Sequence, residues 1–184
     1  MSYTTIVPTL DVYHVCPSTI KDENYQGYYA FDTSTSLLGS SNDDNAWLSQ
    51  HREQAKQRIN VDLGSAYIIR RMMYVNYHNS GGDMNEGIQY FQIYGSNSNI
   101  MFDSYNNGGG LTLLWDGKLE RCTFDPPNPT AAFPNLPVYN PVPQYVTIDN
   151  MTPYKFYALK IWNNWEGNSG IGVRRIELQV EDGI

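Results

Sequence analysis

The sequence is poor in charged residues, and the charge that it carries is mostly negative. Lys, Arg, Asp and Glu make up 17% of the 184 residues, against roughly 25% in an ordinary soluble domain, and the formal net charge is −7. Nucleic acids and anionic membranes both need a basic face, but the basic residues form only isolated pairs such as Arg70–Arg71 and Arg174–Arg175. We therefore expect neither nucleic-acid binding nor association with anionic membranes.

Long apolar runs are also missing. No stretch approaches the roughly 18 apolar residues that span a bilayer, so we expect no membrane insertion. The first residues, "MSYTTIVPTLDVYHVCPS", lack the basic and apolar regions of a secretory signal. The sequence alone leaves three destinations open: the cytosol, export by another route, or assembly into a larger particle.

Cysteine and histidine are scarce, which limits metal and catalytic chemistry. Cys16 and Cys122 allow one disulfide but do not require it, and they lack the C-x-x-C spacing of zinc and redox sites. We interpret them as ordinary thiols. The three histidines lie in unrelated segments, and the motifs of serine hydrolases, zinc proteases and phosphate-binding loops are absent. The sequence favours a binding protein over an enzyme.

What the sequence does contain is a series of short strand patterns separated by Gly, Asn, Asp and Ser. Strands are predicted over 58–64, 67–77, 88–96, 111–115, 144–149, 154–162 and 173–180. The second of these is expected to bulge at Arg70–Arg71. Residues 49–58 are the one helical candidate, interpreted as a short helical turn on a loop. This pattern predicts an all-β antiparallel sandwich.

A proline-rich segment interrupts the strand series. Residues 125–143 hold seven of the ten prolines, and proline removes the hydrogen-bond donors that a central strand needs. We expect an inserted loop that lies against the sandwich, within a single domain spanning residues 1–184. A flexible linker fits less well, because both flanking segments belong to the same strand series.

Six segments follow one another in a recognisable order. They are "YYAFDTSTS" (28–36), Trp47, "RINVDLGSAYIIRRMMY" (58–74), "FQIYGSNS" (91–98), "YKFYALKIW" (154–162) and "GVRRIELQV" (172–180). This order resembles the discoidin, or coagulation factor 5/8 type C, family, which belongs to the galactose-binding-like superfamily together with family 32 carbohydrate-binding modules. The resemblance implies a β-sandwich jelly roll of about eight antiparallel strands.

The resemblance also implies one structural calcium ion beside the loop after Ala-Phe-Asp, with a carboxylate of the last strand closing the site. The matching residues are Asp32 and Glu177, and Ser34 and Thr35 are further candidate ligands. Calcium takes six to eight oxygen ligands, and "DTSTS" offers hydroxyls and carbonyls. The alternative is that Glu177 is a solvated strand residue, or one paired with Arg70 or Arg175.

Sugar-binding members of the family hold their ligand on loops at one end of the sandwich, where an aromatic ring stacks on the sugar and His, Arg and Asn bind its hydroxyls. Three loops here carry such residues. The candidates are Trp162, Asn164 and Trp165 in "WNNWEGNSGIG", His51 and Arg52 in "SQHRE", and His78 and Asn79 in "NYHNSGGDMNEG". Trp165 is the preferred stacking ring, because Trp162 ends a strand and is placed to cap the core. His51 and Arg52 have solvation as the alternative, and His78 the completion of its strand.

These observations predict a non-catalytic, lectin-like module that recognises a glycan or glycoconjugate. The resemblance places it outside the cell or on a particle surface, as a homo-oligomer or part of a larger assembly, because weak binding modules gain avidity when displayed in multiple copies. The alternative is a structural or adhesion component of a virus or phage particle that binds protein. Phospholipid binding is disfavoured by the acidic balance.

Overall fold

The computed structural model describes residues 1–37, 39–41, 43–79, 82–122, 128–129, 137–138, 141–166 and 170–183. Its strands are β1 Tyr3–Ile6, β2 Val15–Pro17, β3 Trp47–Leu48, β4 Ala55–Tyr67, β5 Arg71–Asn76, β6 Ile88–Ser96, β7 Thr112–Lys118, β8 Asn128–Pro129, β9 Pro137–Val138, β10 Gln144–Thr147, β11 Tyr154–Asn164 and β12 Gly172–Glu181. Short 3₁₀ turns occupy Glu23–Tyr25, Gly27–Phe31 and Met84–Glu86.

Two antiparallel five-stranded sheets form the sandwich. In one, the strand order is β1-β12-β5-β10, and β3 also pairs with β12. In the other, which we call the β11 sheet, the order is β2-β4-β11-β6-β7. The strands β8 and β9 pair only with each other. The prediction of an all-β antiparallel sandwich is confirmed.

The core lies between the inner faces of the two sheets and follows strand alternation. Ile59, Val61 and Leu63, at alternate positions of β4, point inward. Trp47 is fully buried, and its indole Nε1 donates to the carbonyl of Thr19 at 3.0 Å. Because a buried N–H needs a partner, this bond fixes the chain before the first long strand.

The helical interpretation of residues 49–58 is wrong in its second half. Residues 55–58 begin β4, and Ala55 and Gln57 pair with Asn163 and Ile161 of β11. Only the turn around His51 and Arg52 remains outside a strand. Pairing with a long neighbouring strand outweighs the weak helical preference of this polar segment.

The connection between β4 and β5 also differs from the expectation. β4 continues through Gly64, which has φ +75, to Tyr67, and β5 begins at Arg71. The predicted bulge at Arg70–Arg71 is therefore a break between two strands. Ile69 and Met72, which lie on either side of this break, are fully buried.

Several strands begin or finish at one end of the sandwich, which we call the loop end. β5 and β11 finish here, and β4, β6 and β12 begin, as the pairings of Asn163 with Ala55 and of Asn164 with Ile88 require. The segments that carry His51, Asn79 and Trp165 therefore meet at this end. Most of the proline-rich segment 125–143 lies outside the described residues.

The structure also describes the state of the two cysteines and the length of the helices. Cys16 and Cys122 are not joined by a disulfide. Burial raises the pKa of the Cys122 thiol to about 11. Among the residues that the structure describes, no helix has the length and apolar character required to cross a bilayer.

Candidate functional site

A cleft of about 460 Å³ lies on the outer face of the β11 sheet near the loop end. We call it the ring-lined cleft. It is lined by Tyr90, Phe91, Gln92, Tyr105, Asp116, Lys160 and Trp162. Trp162 is 55% exposed and Tyr90 is 44% exposed, so both rings present apolar surface to solvent.

Strand alternation explains why Trp162 lies outside the core. Leu159 and Ile161 of β11 are fully buried in the core, so the intervening Lys160 and the next residue, Trp162, point to the outer face. The expectation that Trp162 caps the core is wrong. Its ring instead forms one wall of the cleft, with the Lys56 Nζ 5.6 Å from the ring centroid.

Three polar side chains form a row across the floor of the cleft. Lys160 pairs with Gln92 in the β11–β6 register, and Gln92 pairs with Asp116 in the β6–β7 register. The hydroxyl of Tyr94 donates to Gln92 Oε1 at 2.8 Å, which orients the amide. An ammonium, an amide and a carboxylate thus stand side by side on three adjacent strands.

Tyr105 reaches the cleft from the segment 97–111, which covers the neighbouring part of the sheet. Arg58, fully buried, donates from Nη1 to the carbonyl of Ser104 at 2.9 Å and to that of Asn107 at 2.7 Å. Asn60 donates to the carbonyl of Asp103 at 3.0 Å. These bonds fix the backbone on both sides of Tyr105, so its ring is held by the sheet beneath.

Lysine side chains lie close to the aromatic rings of the ring-lined cleft. Lys160 Nζ lies 4.8 Å from the centroid of Tyr105, and Lys118 Nζ lies 6.0 Å from that of Tyr90. Burial, followed by the charge of Arg58, lowers the pKa of Lys160. The cleft therefore offers cationic donors beside apolar ring faces.

Trp165, the expected stacking ring, is hydrogen-bonded through both its backbone and its indole nitrogen. Its backbone N–H donates to the carbonyl of Asn85 at 2.9 Å, and its indole Nε1 donates to that of Ile88 at 3.1 Å. The ring is half-buried, and the Lys118 Nζ lies 5.6 Å from its centroid. Trp165 ties the end of β11 to the start of β6, and Trp162 is the more accessible of the two indoles.

A second, more polar cleft of about 260 Å³ opens at the loop end. We call it the end cleft. It is lined by Lys21, Tyr25, Leu48, His51, Tyr77, Asn79, Asp83 and Glu86. Of the predicted ligand-binding residues, the structure brings His51 and Asn79 together here, both exposed. Arg52 is exposed beside His51, with φ +71, and does not line the cleft among the described residues.

The aromatic rings of the end cleft are largely buried. Tyr25 is 8% exposed and Tyr77 is 5% exposed. The Lys21 Nζ sits 4.4 Å from the centroid of the Tyr25 ring. The end cleft therefore offers polar contacts but little open ring surface.

Two predicted ligand-binding residues lie in the interior instead. His78 is fully buried, and its backbone N–H donates to Ser41 Oγ at 3.1 Å. Burial, followed by the charge of Arg174, lowers the pKa of its imidazole. Asn164 is 4% exposed and donates from Nδ2 to the carbonyl of Gly170 at 2.7 Å. Both side chains hold the loop end together, which differs from the expectation that they face a ligand.

The predicted calcium ligands all have protein hydrogen-bond or ion-pair partners. Asp32 Oδ1 accepts from the backbone N–H and the hydroxyl of Ser34, at 2.9 and 2.6 Å. Glu177 accepts at Oε2 from Thr5 and, at Oε1, lies 3.5 Å from Arg175 Nη1. Thr35 accepts from Arg175 through its carbonyl and hydroxyl oxygens. Among the described residues, no group of three or more His, Cys, Asp or Glu side chains is placed to hold a metal ion.

Sequence reasoning missed most of the residues that line the ring-lined cleft. Tyr90 and Gln92 alternate with the inward-pointing Phe91 and Ile93, so their outward orientation was available from the strand pattern. Tyr105 and Asp116 carry no such signal, because their positions depend on the covering segment and on the β6–β7 register.

The model of the F5/8 type C domain matches residues 16–133, more than half of the chain. This chain belongs to the F5/8 type C domain family. No curated protein sequence matches it.

Solved structures agree with the family on the fold. The family 32 carbohydrate-binding module of NanJ from Clostridium perfringens, in complex with galactose, is 16% identical with a TM-score of 0.60, over 97% of this chain and 100% of that one. Chitosan-binding module 1 of a chitosanase/glucanase from Paenibacillus sp. IK-5 is 15% identical with a TM-score of 0.59, over 97% and 99%. The family 32 module of AlyQ, in complex with 4,5-unsaturated mannuronic acid, is 14% identical with a TM-score of 0.57, over 97% of each chain. At these identities the likeness shows a shared fold.

Proposed function

We propose that this domain is a non-catalytic carbohydrate-binding module that holds a glycan in the ring-lined cleft. The observation that carries the proposal is the exposure of Trp162 and Tyr90 above the polar row of Lys160, Gln92 and Asp116. A sugar has apolar C–H faces and a fixed set of hydroxyls. A site with open rings and a few rigid donors and acceptors matches both.

The solved structures with this fold support the same function. Their ligands are galactose in the NanJ module, 4,5-unsaturated mannuronic acid in the AlyQ module and chitotriose in chitosan-binding module 2. Neutral, acidic and amino sugars are thus all held by relatives of this fold. The lysines around the present cleft suit hydroxyl acceptors and sugar carboxylates.

The end cleft provides a second place for the same ligand class. His51 and Asn79 offer an imidazole and an amide to hydroxyls, in the loops where sugar-binding members are expected to hold their ligand. We rank it below the ring-lined cleft because Tyr25 and Tyr77 leave little ring surface for stacking. The two clefts lie near the same end of the sandwich, so a branched or extended glycan has room to contact both.

A single site of this kind binds weakly. A stacked ring with three or four exposed hydrogen bonds corresponds to a Kd of about 1 mM to tens of μM. Display in multiple copies raises the avidity without new contacts. We therefore place the domain in an oligomer or a surface assembly outside the cell, or on a particle.

A glycan array probed with the protein on a multivalent carrier tests the function. We expect binding to at least one glycan class, loss of that binding in Trp162→Ala, and retention in the double variant His51→Ala/Asn79→Ala. Loss in the double variant alone would move the sugar site to the end cleft. The absence of any bound glycan would overturn the proposal and favour the alternative of a structural or adhesion component of a virus or phage particle that binds protein.

A further inference from the structure

Two buried arginines lie where the family resemblance implies a metal ion. Arg174 and Arg175, adjacent on β12, are 1% and 2% exposed. Both guanidinium groups face the turn 32–36, which follows the 3₁₀ turn Gly27–Phe31. A buried charge is costly unless it is paired and hydrogen-bonded, so the partners of these two groups explain why the positions tolerate arginine.

The partners of the guanidinium groups are the kinds of atom that bind calcium. Arg174 donates to the backbone carbonyls of Asn45 and Ser36. Arg175 donates from Nη2 to the carbonyl of Thr35 at 2.7 Å and to its hydroxyl at 2.9 Å. Carbonyl and hydroxyl oxygens are typical calcium ligands. Here the N–H groups of two side chains occupy these oxygens.

The charges of this region also balance without a metal ion. The two guanidinium groups carry the formal charge of one Ca²⁺. Arg175 Nη1 lies 3.5 Å from Glu177 Oε1, and the carboxylate of Asp32 attracts both guanidinium groups. A calcium ion beside them would meet two like charges in a poorly solvated region, and its oxygen ligands would first have to give up their arginine bonds.

We propose that Arg174 and Arg175 take the place of the structural calcium ion, so that guanidinium groups join the turn 32–36 to the last strand and the domain is stable without metal. The planar fork of a guanidinium group suits this role, because it donates to several oxygens at once from a fixed geometry. Asp32, Ser34, Thr35 and Glu177 then serve as the polar shell of the arginine pair.

Thermal unfolding of the full chain in millimolar CaCl₂ and in EDTA tests the proposal. A metal ion that binds the folded protein and is present at 100 times its Kd raises the Tm by several degrees. We expect the two Tm values to agree within about 1 °C, because no calcium is bound. A rise of several degrees in calcium that EDTA reverses would overturn the proposal, as would one equivalent of calcium in protein purified without chelator.

Substitution of an arginine tests whether the guanidinium groups stabilise the fold by joining the turn 32–36 to the last strand. Arg174→Met keeps the apolar stem and removes the charge and the donors, leaving buried carbonyls without partners. We expect the Tm to fall by about 6–12 °C, and the matched control Arg52→Met, at an exposed position, to fall by no more than about 2 °C. Equal Tm values for the two variants would overturn the proposal. If Arg174→Met does not fold, the comparison in calcium and EDTA on the wild-type chain still decides it.

Discussion

Removing the indole of Trp162 is the perturbation that reports most directly on the ring-lined cleft. The side chain is 55% exposed, which for an aromatic of up to about 250 Å² leaves roughly 140 Å² in contact with solvent. A sugar stacked on one face covers about half of this, or roughly 70 Å². At about 25 cal/mol per Å² the loss in Trp162→Ala is about 1.7 kcal/mol, equivalent to a roughly 10- to 30-fold weaker Kd.

Isothermal titration with the best glycan from the array measures this change. The matched control is Phe102→Ala, because Phe102 is 80% exposed on the covering segment and does not line the cleft. We expect the control to bind as the wild type does and both variants to keep the wild-type Tm, since neither ring belongs to the core. A Kd for Trp162→Ala within about twofold of the wild type would refute the stacking argument.

Three further predictions concern the scaffold. Tyr157→Phe should lower the free energy of unfolding by about 1–3 kcal/mol in urea titrations. The reason is that the Tyr157 hydroxyl donates to the Tyr67 carbonyl at 2.7 Å and accepts from the Ile69 N–H at 3.4 Å. A urea midpoint equal to that of the exposed control Tyr145→Phe would contradict this prediction. The pKa of His78 is lowered from its ordinary value of 6.5, chiefly by burial, so the unfolded chain takes up a proton more readily. The free energy of unfolding should hold above about pH 6.5 and fall as the pH drops below this value. His78→Gln should reduce this fall, and identical pH profiles for the variant and the wild type would contradict the prediction. Cys16 should react with iodoacetamide before Cys122, whose pKa is raised to about 11, and a gain of mass on reduction would reveal a disulfide instead.

Much of the fold was predictable because its long strands carry a clear period of two. Ile59, Val61 and Leu63 alternate with polar neighbours, and in β6 the inward Phe91 and Ile93 flank Gln92. The short strands β1, β2 and β3 were not predicted, since two to four residues are too few to show a period. The error at 49–58 has a related cause: Ala55 and Gln57 become extended by pairing with β11, which no local pattern reveals.

The site was predictable in its chemistry and less so in its location. The sequence indicated an aromatic and amide-rich loop end, but our interpretation of it favoured Trp165 over Trp162 as the exposed ring. The outward orientation of Trp162 follows from alternation along β11, whereas the half-buried position of Trp165 depends on its bonds to Asn85 and Ile88. The row of Lys160, Gln92 and Asp116 depends on the register of three strands, which local sequence does not encode.

In our proposal, the arginine pair fills the place where the family resemblance implies a calcium ion. Asp32 and Thr35 lie in the expected turn, but the neighbouring residues of β12 bring their own positive charge to it. The sequence shows the adjacent Arg174 and Arg175, but alternation alone would point them to opposite faces of β12. Their common burial accompanies a register shift between Val173 and Arg175.

The central claim is that a sugar lies against Trp162. A titration of ¹⁵N-labelled protein with the best glycan, followed through the indole N–H signals of Trp47, Trp115, Trp162 and Trp165, tests it most directly. We predict that the Trp162 signal moves in a saturable manner and that the signal of the buried Trp47 does not. A Trp162 signal that stays fixed at saturation would contradict the account.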